Sequence, residues 1–141
     1  MPELDRFTRI YLVVISVVAV AGIAWWISTW DSRLSQMNRT LAEDVELAGY
    51  PYPFKVISLE NGVAEISSPR SADVPVIRFL RIIHPEFQNS SVMDESVMAA
   101  QDTLARMQSR AGKLVSDMEE VDSIRWTIDR KWYAANGVYL D

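Results

Sequence analysis

One uncharged apolar run near the N-terminus constrains this chain more than any other feature. The run extends from Ile10 to Trp30, contains 21 residues and lacks Asp, Glu, Lys and Arg. A helix rises ~1.5 Å per residue, so the run would be ~31 Å long, which matches the ~30 Å hydrocarbon core of a bilayer. Ten of its residues are Ile, Leu or Val, and on insertion scales these contribute about −3 to −6 kcal/mol. We therefore predict a transmembrane helix at residues 10–30.

The alternative for this segment is a cleaved secretory signal. Arg6 and Arg9 would supply its basic region, and Ala19-Val20-Ala21 has the small-x-small pattern of a cleavage site. The apolar stretch nevertheless continues to Ile27, where a cleavage region should become polar. This favours a retained anchor, with tryptophans at its C-terminal end that suit the headgroup level, namely Trp25, Trp26 and Trp30.

The orientation of the predicted helix depends on the charges of its flanks and on the lengths of the segments on either side. Arg6 and Arg9 precede it and Arg33 and Arg39 follow it, so the positive-inside count is a tie. A nine-residue N-terminal tail is more easily left in the cytoplasm than a large domain that has no export signal of its own. We therefore expect a bacterial inner-membrane protein whose residues 1–9 form a short cytoplasmic tail and whose C-terminal domain is periplasmic.

The composition of the remaining chain restricts its partners. The whole chain has a net charge of −5 and no cysteine. An acidic domain repels phosphates, so we expect no nucleic-acid partner, whereas basic soluble proteins are allowed. Without cysteine the domain has neither disulfides nor thiol metal sites. About 110 residues can close one hydrophobic core.

The pattern after the apolar run predicts a juxtamembrane helix or stalk at residues 31–49 and an α+β domain at residues 50–141. Asp31 can cap its start and Gly49 can end it, or the helix continues the membrane helix as a rigid stalk. Its apolar positions recur at steps of three and four, so they share one face: Leu34, Met37, Leu41, Val45 and Ala48. That face packs either on the domain itself or on a partner helix.

In the domain, Phe54–Leu59 and Val63–Ser67 are predicted to form a hairpin around Asn61-Gly62. Val76–His84 has apolar residues on both faces, interrupted by Arg78 and Arg81 and ended by Pro85, which predicts a third strand. A long amphipathic helix should follow between residues 91 and 119, with apolar positions at Val97, Ala100, Leu104, Met107, Ala111, Leu114 and Met118. The alternation of apolar and polar residues at 124–128 predicts a half-buried strand. The tail from Arg130 to Asp141 has a turn signal at Asn136-Gly137 and could add a last short strand.

The predicted order is transmembrane helix, α, β, β, β, α, β, which favours a small two-layer α/β sandwich, an α+β fold. In element order this resembles the ferredoxin-like domains of secretion and pilus assembly platforms, and it is compatible with BON-type envelope domains. The resemblance rests on element order alone, so it implies the ferredoxin-like arrangement but no function.

No residue pattern indicates catalysis, a cofactor or a metal. His84 is the single histidine, so a site with several histidine ligands is excluded, and no Gly-x-Ser-x-Gly motif indicates a nucleophilic serine. Two acidic clusters lack the spacing and central glycine of a calcium loop. They are interpreted as solvated helix surfaces, and their members are Glu43, Asp44, Glu46, Asp117, Glu119, Glu120 and Asp122.

Two groups of residues suggest contact surfaces. In the apolar run a face with small residues suits helix–helix packing, and it comprises Val14, Val17, Ala21, Ala24 and Ser28. Near the C-terminus cations and large rings occur together, as in interface hot spots, at Arg130, Lys131, Trp132 and Tyr133. Each group has a plainer interpretation: small residues are common in membrane helices, and Trp132 would fit beneath the last strand in the core.

These observations favour a non-catalytic accessory or scaffold subunit, held in the lipid bilayer and docked onto other integral membrane subunits. The larger complex could be respiratory, a transporter, or a secretion or pilus platform. The alternative is a free-standing anchored module that recognises envelope material or a soluble protein. A pocket with convergent polar groups would favour that alternative.

Overall fold

The computed structural model describes residues 5–141 of the chain. They divide into two compact units, one ending at Ser35 and the other comprising Gln36–Asp141. Residues 1–4 of the predicted tail, and the side chains of Trp30 and Asp31, lie outside the described part.

The first helix, α1, spans Arg6–Glu43. Every described side chain from residue 5 to residue 29 is exposed. By its length and composition α1 could cross a membrane. The backbone is helical on both sides of Asp31, so α1 continues through the juxtamembrane segment without a new helix start there.

The helix also ends earlier than the apolar spacing predicts. Asp44 is extended, with φ −67° and ψ 126°, and begins the short helix α2, Val45–Ala48. Its carboxylate accepts a hydrogen bond from the Leu47 amide at 3.2 Å, which satisfies one of the free donors of a helix start. This break changes the buried face. Met37 and Leu41 are buried as expected, but Val45 is 86% exposed and Leu47 is buried in its place.

The predicted hairpin is confirmed. β1, Val56–Glu60, pairs antiparallel with β2, Val63–Ser68. Asn61 has φ 50° and Gly62 has φ 78°. Positive φ at both positions defines the type I′ turn, whose twist matches that of the strands.

The third strand of the sheet is β3, Ser123–Ile128, which runs parallel to β2. The sheet order is β1-β2-β3. The predicted strand at residues 124–128 is therefore confirmed. A parallel neighbour requires a long crossover, and here the crossover contains two α-helices and a 3₁₀ turn.

The predicted strand at Val76–His84 is wrong, because this segment forms helix α3, Val76–Ile83. Val76, Phe79, Leu80 and Ile83 follow helical spacing, and Phe79 and Leu80 are fully buried. Single-sided burial at this spacing outweighs the strand preference of β-branched residues. A 3₁₀ turn at Pro85–Phe87 follows.

Helix α4, Glu95–Ser116, confirms the predicted amphipathic helix. Val97, Leu104, Met107 and Ala111 on its predicted stripe are buried. Gly112 allows β3 to approach closely, since a Cβ there would lie 3.1 Å from the Trp126 ring.

The short last strand considered for the tail is wrong. Helix α5 occupies Arg130–Ala135, and the side chain of Asp129 caps it by accepting from the Trp132 amide at 3.0 Å. The fold is thus mixed α+β with a three-stranded sheet. The ferredoxin-like arrangement is not confirmed, because one of the four expected strands is helical.

Candidate functional site

The residues of the predicted helix-packing face all lie on α1, in its apolar part. Their spacing by three and four places them on one side of the helix. All five are exposed, with Val14 at 53% and Val17 at 62%. The described chain therefore leaves this face open along its length.

The C-terminal group divides into surface and core. Arg130 and Lys131 are exposed at the start of α5. Arg130 donates from Nη1 to the carbonyl oxygens of Leu140 at 3.3 Å and Asp141 at 3.0 Å. Tyr133, in contrast, is 0% exposed. Its hydroxyl donates to the Pro69 carbonyl, and burial raises its pKa to about 12.

Trp132 lies between these two environments. It is half-buried. Its ring centroid is 5.4 Å from that of Tyr52 and 5.3 Å from that of Phe79. Aromatic pairs at such spacing stabilise a core beyond their buried area. Of the four predicted contact residues, Trp132 and Tyr133 therefore join the aromatic packing, and the two cations face outward.

A buried polar bond lies beside this aromatic packing. The hydroxyl of fully buried Tyr52 donates to Asp129 Oδ2 at 2.8 Å. Asp129 Oδ1 accepts from the start of α5. Burial, followed by the neighbouring Asp129 carboxylate, raises the pKa of Tyr52 well above its usual range, so the phenol remains a donor. This geometry fixes α5 against the segment before β1.

Two adjacent clefts lie where Tyr50 meets α4. The first has a volume of about 390 Å³. It is lined by Glu46, Gly49, Tyr50, Thr103, Arg106 and Met107. The second has a volume of about 360 Å³. It is lined by Tyr50, Pro51, His84, Glu86, Phe87, Ser96, Ala100 and Thr103.

Tyr50 and Thr103 line both clefts. The Tyr50 hydroxyl is buried and has no hydrogen-bond partner among the described residues. Burial raises the pKa of Tyr50 to about 12, so the group stays protonated. The Thr103 hydroxyl donates to the Ala99 carbonyl at 3.0 Å and keeps its oxygen lone pairs free to accept.

Charged groups flank the clefts on two sides. His84 Nδ1 lies 3.2 Å from Glu86 Oε1, and the imidazole packs 4.9 Å from the Phe87 ring. His84 thus stands at the end of α3 and not at a strand end. On the other side Arg110 donates hydrogen bonds from Nε and Nη2 to the two carboxylate oxygens of Asp44, each at 2.7 Å. The Arg110 guanidinium lowers the pKa of that carboxyl.

The sequence alone did not single out this site. Tyr50 belongs to a Tyr-Pro-Tyr-Pro segment that reads as a bend, and Thr103 is one of several polar residues on α4. The available signal was the spacing of Ser96, Ala100 and Thr103, which places two hydroxyls beside the apolar stripe.

The acidic clusters are dispersed over helix ends and turns. Within residues 5–141 no three His, Asp or Glu side chains come together in a way that could hold a metal ion. Comparison of the chain with protein-family models, with curated proteins and with solved structures gave no match.

Proposed function

We propose that this chain is a single-pass protein of a bacterial inner membrane, with its N-terminus in the cytoplasm and residues 31–141 in the periplasm. The proposal rests on the apolar part of α1, whose described side chains from residue 10 to residue 29 are all exposed. Water penalises this much exposed apolar surface, and a bilayer accommodates it. Trp25 and Trp26, which are 75% and 63% exposed, suit the headgroup region at one end.

Within that membrane we propose a non-catalytic accessory or scaffold role. The chain docks onto a larger respiratory, transport, secretion or pilus complex through α1 and the periplasmic domain. The supporting observation is the open face with Ala21, Ala24 and Ser28. Small side chains let helix backbones approach closely. Because the hydrophobic effect does not drive association between helices in lipid, close van der Waals packing does so instead.

The first experiment is purification of the tagged full-length chain from its native membrane in mild detergent. A native gel and mass spectrometry then identify what migrates with it. A fixed set of integral membrane subunits supports the docking role, and recovery of this chain alone contradicts it.

A pair of variants tests the helix face itself. Ala21→Leu with Ala24→Leu adds bulk to the open face, and we expect co-purifying subunits to fall by about tenfold or more, since close packing is lost. Ala19→Leu adds the same side chain on the opposite side of α1 and serves as the matched control. Equal retention of subunits in both variants contradicts docking through this face.

The two clefts favour a second candidate function, an anchored module that binds envelope material or a basic soluble protein. Concave sites with a few polar groups are the usual form of ligand pockets. Ala100→Phe would fill the second cleft, whereas Ala99→Phe places the same ring on an exposed neighbouring position. Loss of sedimentation with purified peptidoglycan sacculi in the first variant only supports this module. Absence of sedimentation by the unaltered chain removes peptidoglycan as its ligand.

A further inference from the structure

The outer edge of β3 has unpaired backbone groups. Ser123 N donates to the Gly62 carbonyl at 3.1 Å, and Asp129 N donates to the Ser68 carbonyl at 2.9 Å. In a parallel ladder a residue directs its N–H and C=O to the same side, and the side alternates along the strand. Ile124, Trp126 and Ile128 therefore direct their backbone groups away from β2. No hydrogen bond from the described residues reaches these outward groups.

The opposite edge of the same sheet is hydrogen-bonded to a helix at its first residue, Val56. Asn38, in the part of α1 that belongs to the second unit, accepts from Val56 N at 2.7 Å and donates to the Val56 carbonyl at 3.1 Å. A register shift between Val56 and Ser58 further interrupts this edge. Helix cover and bulges are the usual means of preventing edge pairing. Among the described residues β3 has neither a bulge nor a side chain bonded to its outward groups, whereas β1 has both at its start.

We propose that β3 pairs with β3 of a second copy of this chain, antiparallel and about a two-fold axis at Trp126. This inference is independent of the proposed docking role. The pairing would join two sheets into one of six strands, in the order β1-β2-β3-β3-β2-β1.

The backbone selects this register. An axis at Trp126 pairs every outward residue with another outward residue, Trp126 with its equivalent and Ile124 with Ile128. Each such pair exchanges two hydrogen bonds, giving about six in total. An axis at Arg125 or at Thr127 leaves one outward residue of each copy without a partner.

The side chains are self-complementary in the same register. Trp126 is 36% exposed despite its contacts with Gly112 and Phe54, and pairing would place the two indoles together. Arg125 would lie opposite Thr127 on the other face, so no like charges meet. An axis at Arg125 would instead bring two guanidinium groups together, which is unfavourable.

The test uses the full-length chain in lipid nanodiscs or detergent micelles. Because the chain has no cysteine, Ser123→Cys carries a single spin label at an exposed position. Six residues separate position 123 from the position opposite it, so the two labelled backbones should lie about 20 Å apart. A dimer whose two spin labels show a separation consistent with this distance in pulsed electron–electron double resonance supports the proposal. A monomer, or a dimer with a clearly different separation, overturns it, and the latter includes dimers held only through α1.

Charge at the axis provides the second test. Trp126→Lys places two ammonium groups opposite each other, and we expect the dimer dissociation constant to rise by about tenfold or more. Ile57→Lys places the same charge on β1, the opposite edge strand, and should leave the dimer intact. Far-UV circular dichroism verifies that both variants fold. A folded Trp126→Lys variant that dimerises as well as the unaltered chain overturns the proposal, and the spin-label result stands if that variant fails to fold.

Discussion

Gly62 and Gly137 adopt nearly the same left-handed backbone conformation, but their surroundings differ. Their φ angles are +78° and +80°. A Cβ at Gly62 would collide with the Asp122 carboxylate, whereas a Cβ at Gly137 would meet nothing within 4 Å. One position therefore needs glycine for two reasons and the other for one.

We expect Gly62→Ala to lower the free energy of unfolding by about 2–3 kcal/mol, the sum of left-handed strain and the collision. Gly137→Ala is the matched control and should cost about 1 kcal/mol, because it has the strain alone. Thermal unfolding of the full-length chain in detergent, followed by near-UV circular dichroism, measures both. Equal losses would show that Asp122 moves aside freely.

Acid should destabilise the folded domain through two carboxylates. Arg110 lowers the pKa of Asp44, and the Thr127 hydroxyl, followed by Arg125, lowers the pKa of Glu65. A carboxyl whose folded pKa lies below its unfolded value contributes stability above the unfolded pKa, which is about 4. That contribution is lost as the pH falls through the folded pKa.

We therefore expect the melting temperature to fall on acidification below about pH 4, and to fall less in Asp44→Asn than in the unaltered chain. Asp44→Asn should also melt lower at neutral pH, because the charged pair with Arg110 is gone. Asp102→Asn changes an exposed carboxylate on α4 and is the control. An unchanged acid response in Asp44→Asn would contradict this assignment.

At the scale of elements, Asn38 joins a helix to a strand that lies 18 residues away. Its amide supplies both an acceptor and a donor to Val56, as a neighbouring strand would. The last turns of α1 are thus fixed to the sheet by hydrogen bonds as well as by buried Met37 and Leu41.

Asn38→Ala should lower the free energy of unfolding by about 1–3 kcal/mol, because both backbone groups of Val56 lose their partners in a partly buried place. Arg39→Ala, on the exposed side of the same turn, should change it by less than about 0.5 kcal/mol. Chemical unfolding in detergent compares them. If Asn38→Ala lowers the free energy of unfolding no more than this small control change, water replaces the Asn38 hydrogen bonds without a net cost.

The elements that sequence patterns predicted correctly are those with local causes. Asn61-Gly62 fixes the hairpin within two residues, and the α4 stripe repeats over several turns. The strand prediction is wrong at α3 because its apolar residues on both faces resemble a buried strand locally, whereas tertiary packing buries Phe79 and Leu80 on one side of a helix. The clefts were beyond prediction, since Tyr50 and Thr103 come together only through the tertiary packing of distant segments.

At the scale of the whole molecule, the membrane orientation is directly testable. Asn136 is exposed near the C-terminus, and the chain contains no cysteine. We expect Asn136→Cys to react with a membrane-impermeant thiol reagent in intact spheroplasts, because the domain is proposed to be periplasmic. Thr8→Cys, before the apolar run, should react only after lysis and is the control. The reverse pattern would invert the proposed topology.

The central strand of the sheet has one near partner and one distant partner. β1 is separated from β2 by two residues, whereas β3 follows only after the 54 residues between Ser68 and Ser123. Hairpins close in about 1–10 μs, whereas distant segments pair more slowly because a longer loop must be closed. During synthesis β1 and β2 precede β3 along the chain, so β2 can pair with β1 before β3 is available. During that stage β2 is itself a sheet edge, and a chaperone or a neighbouring nascent chain could bind it before the native strand arrives.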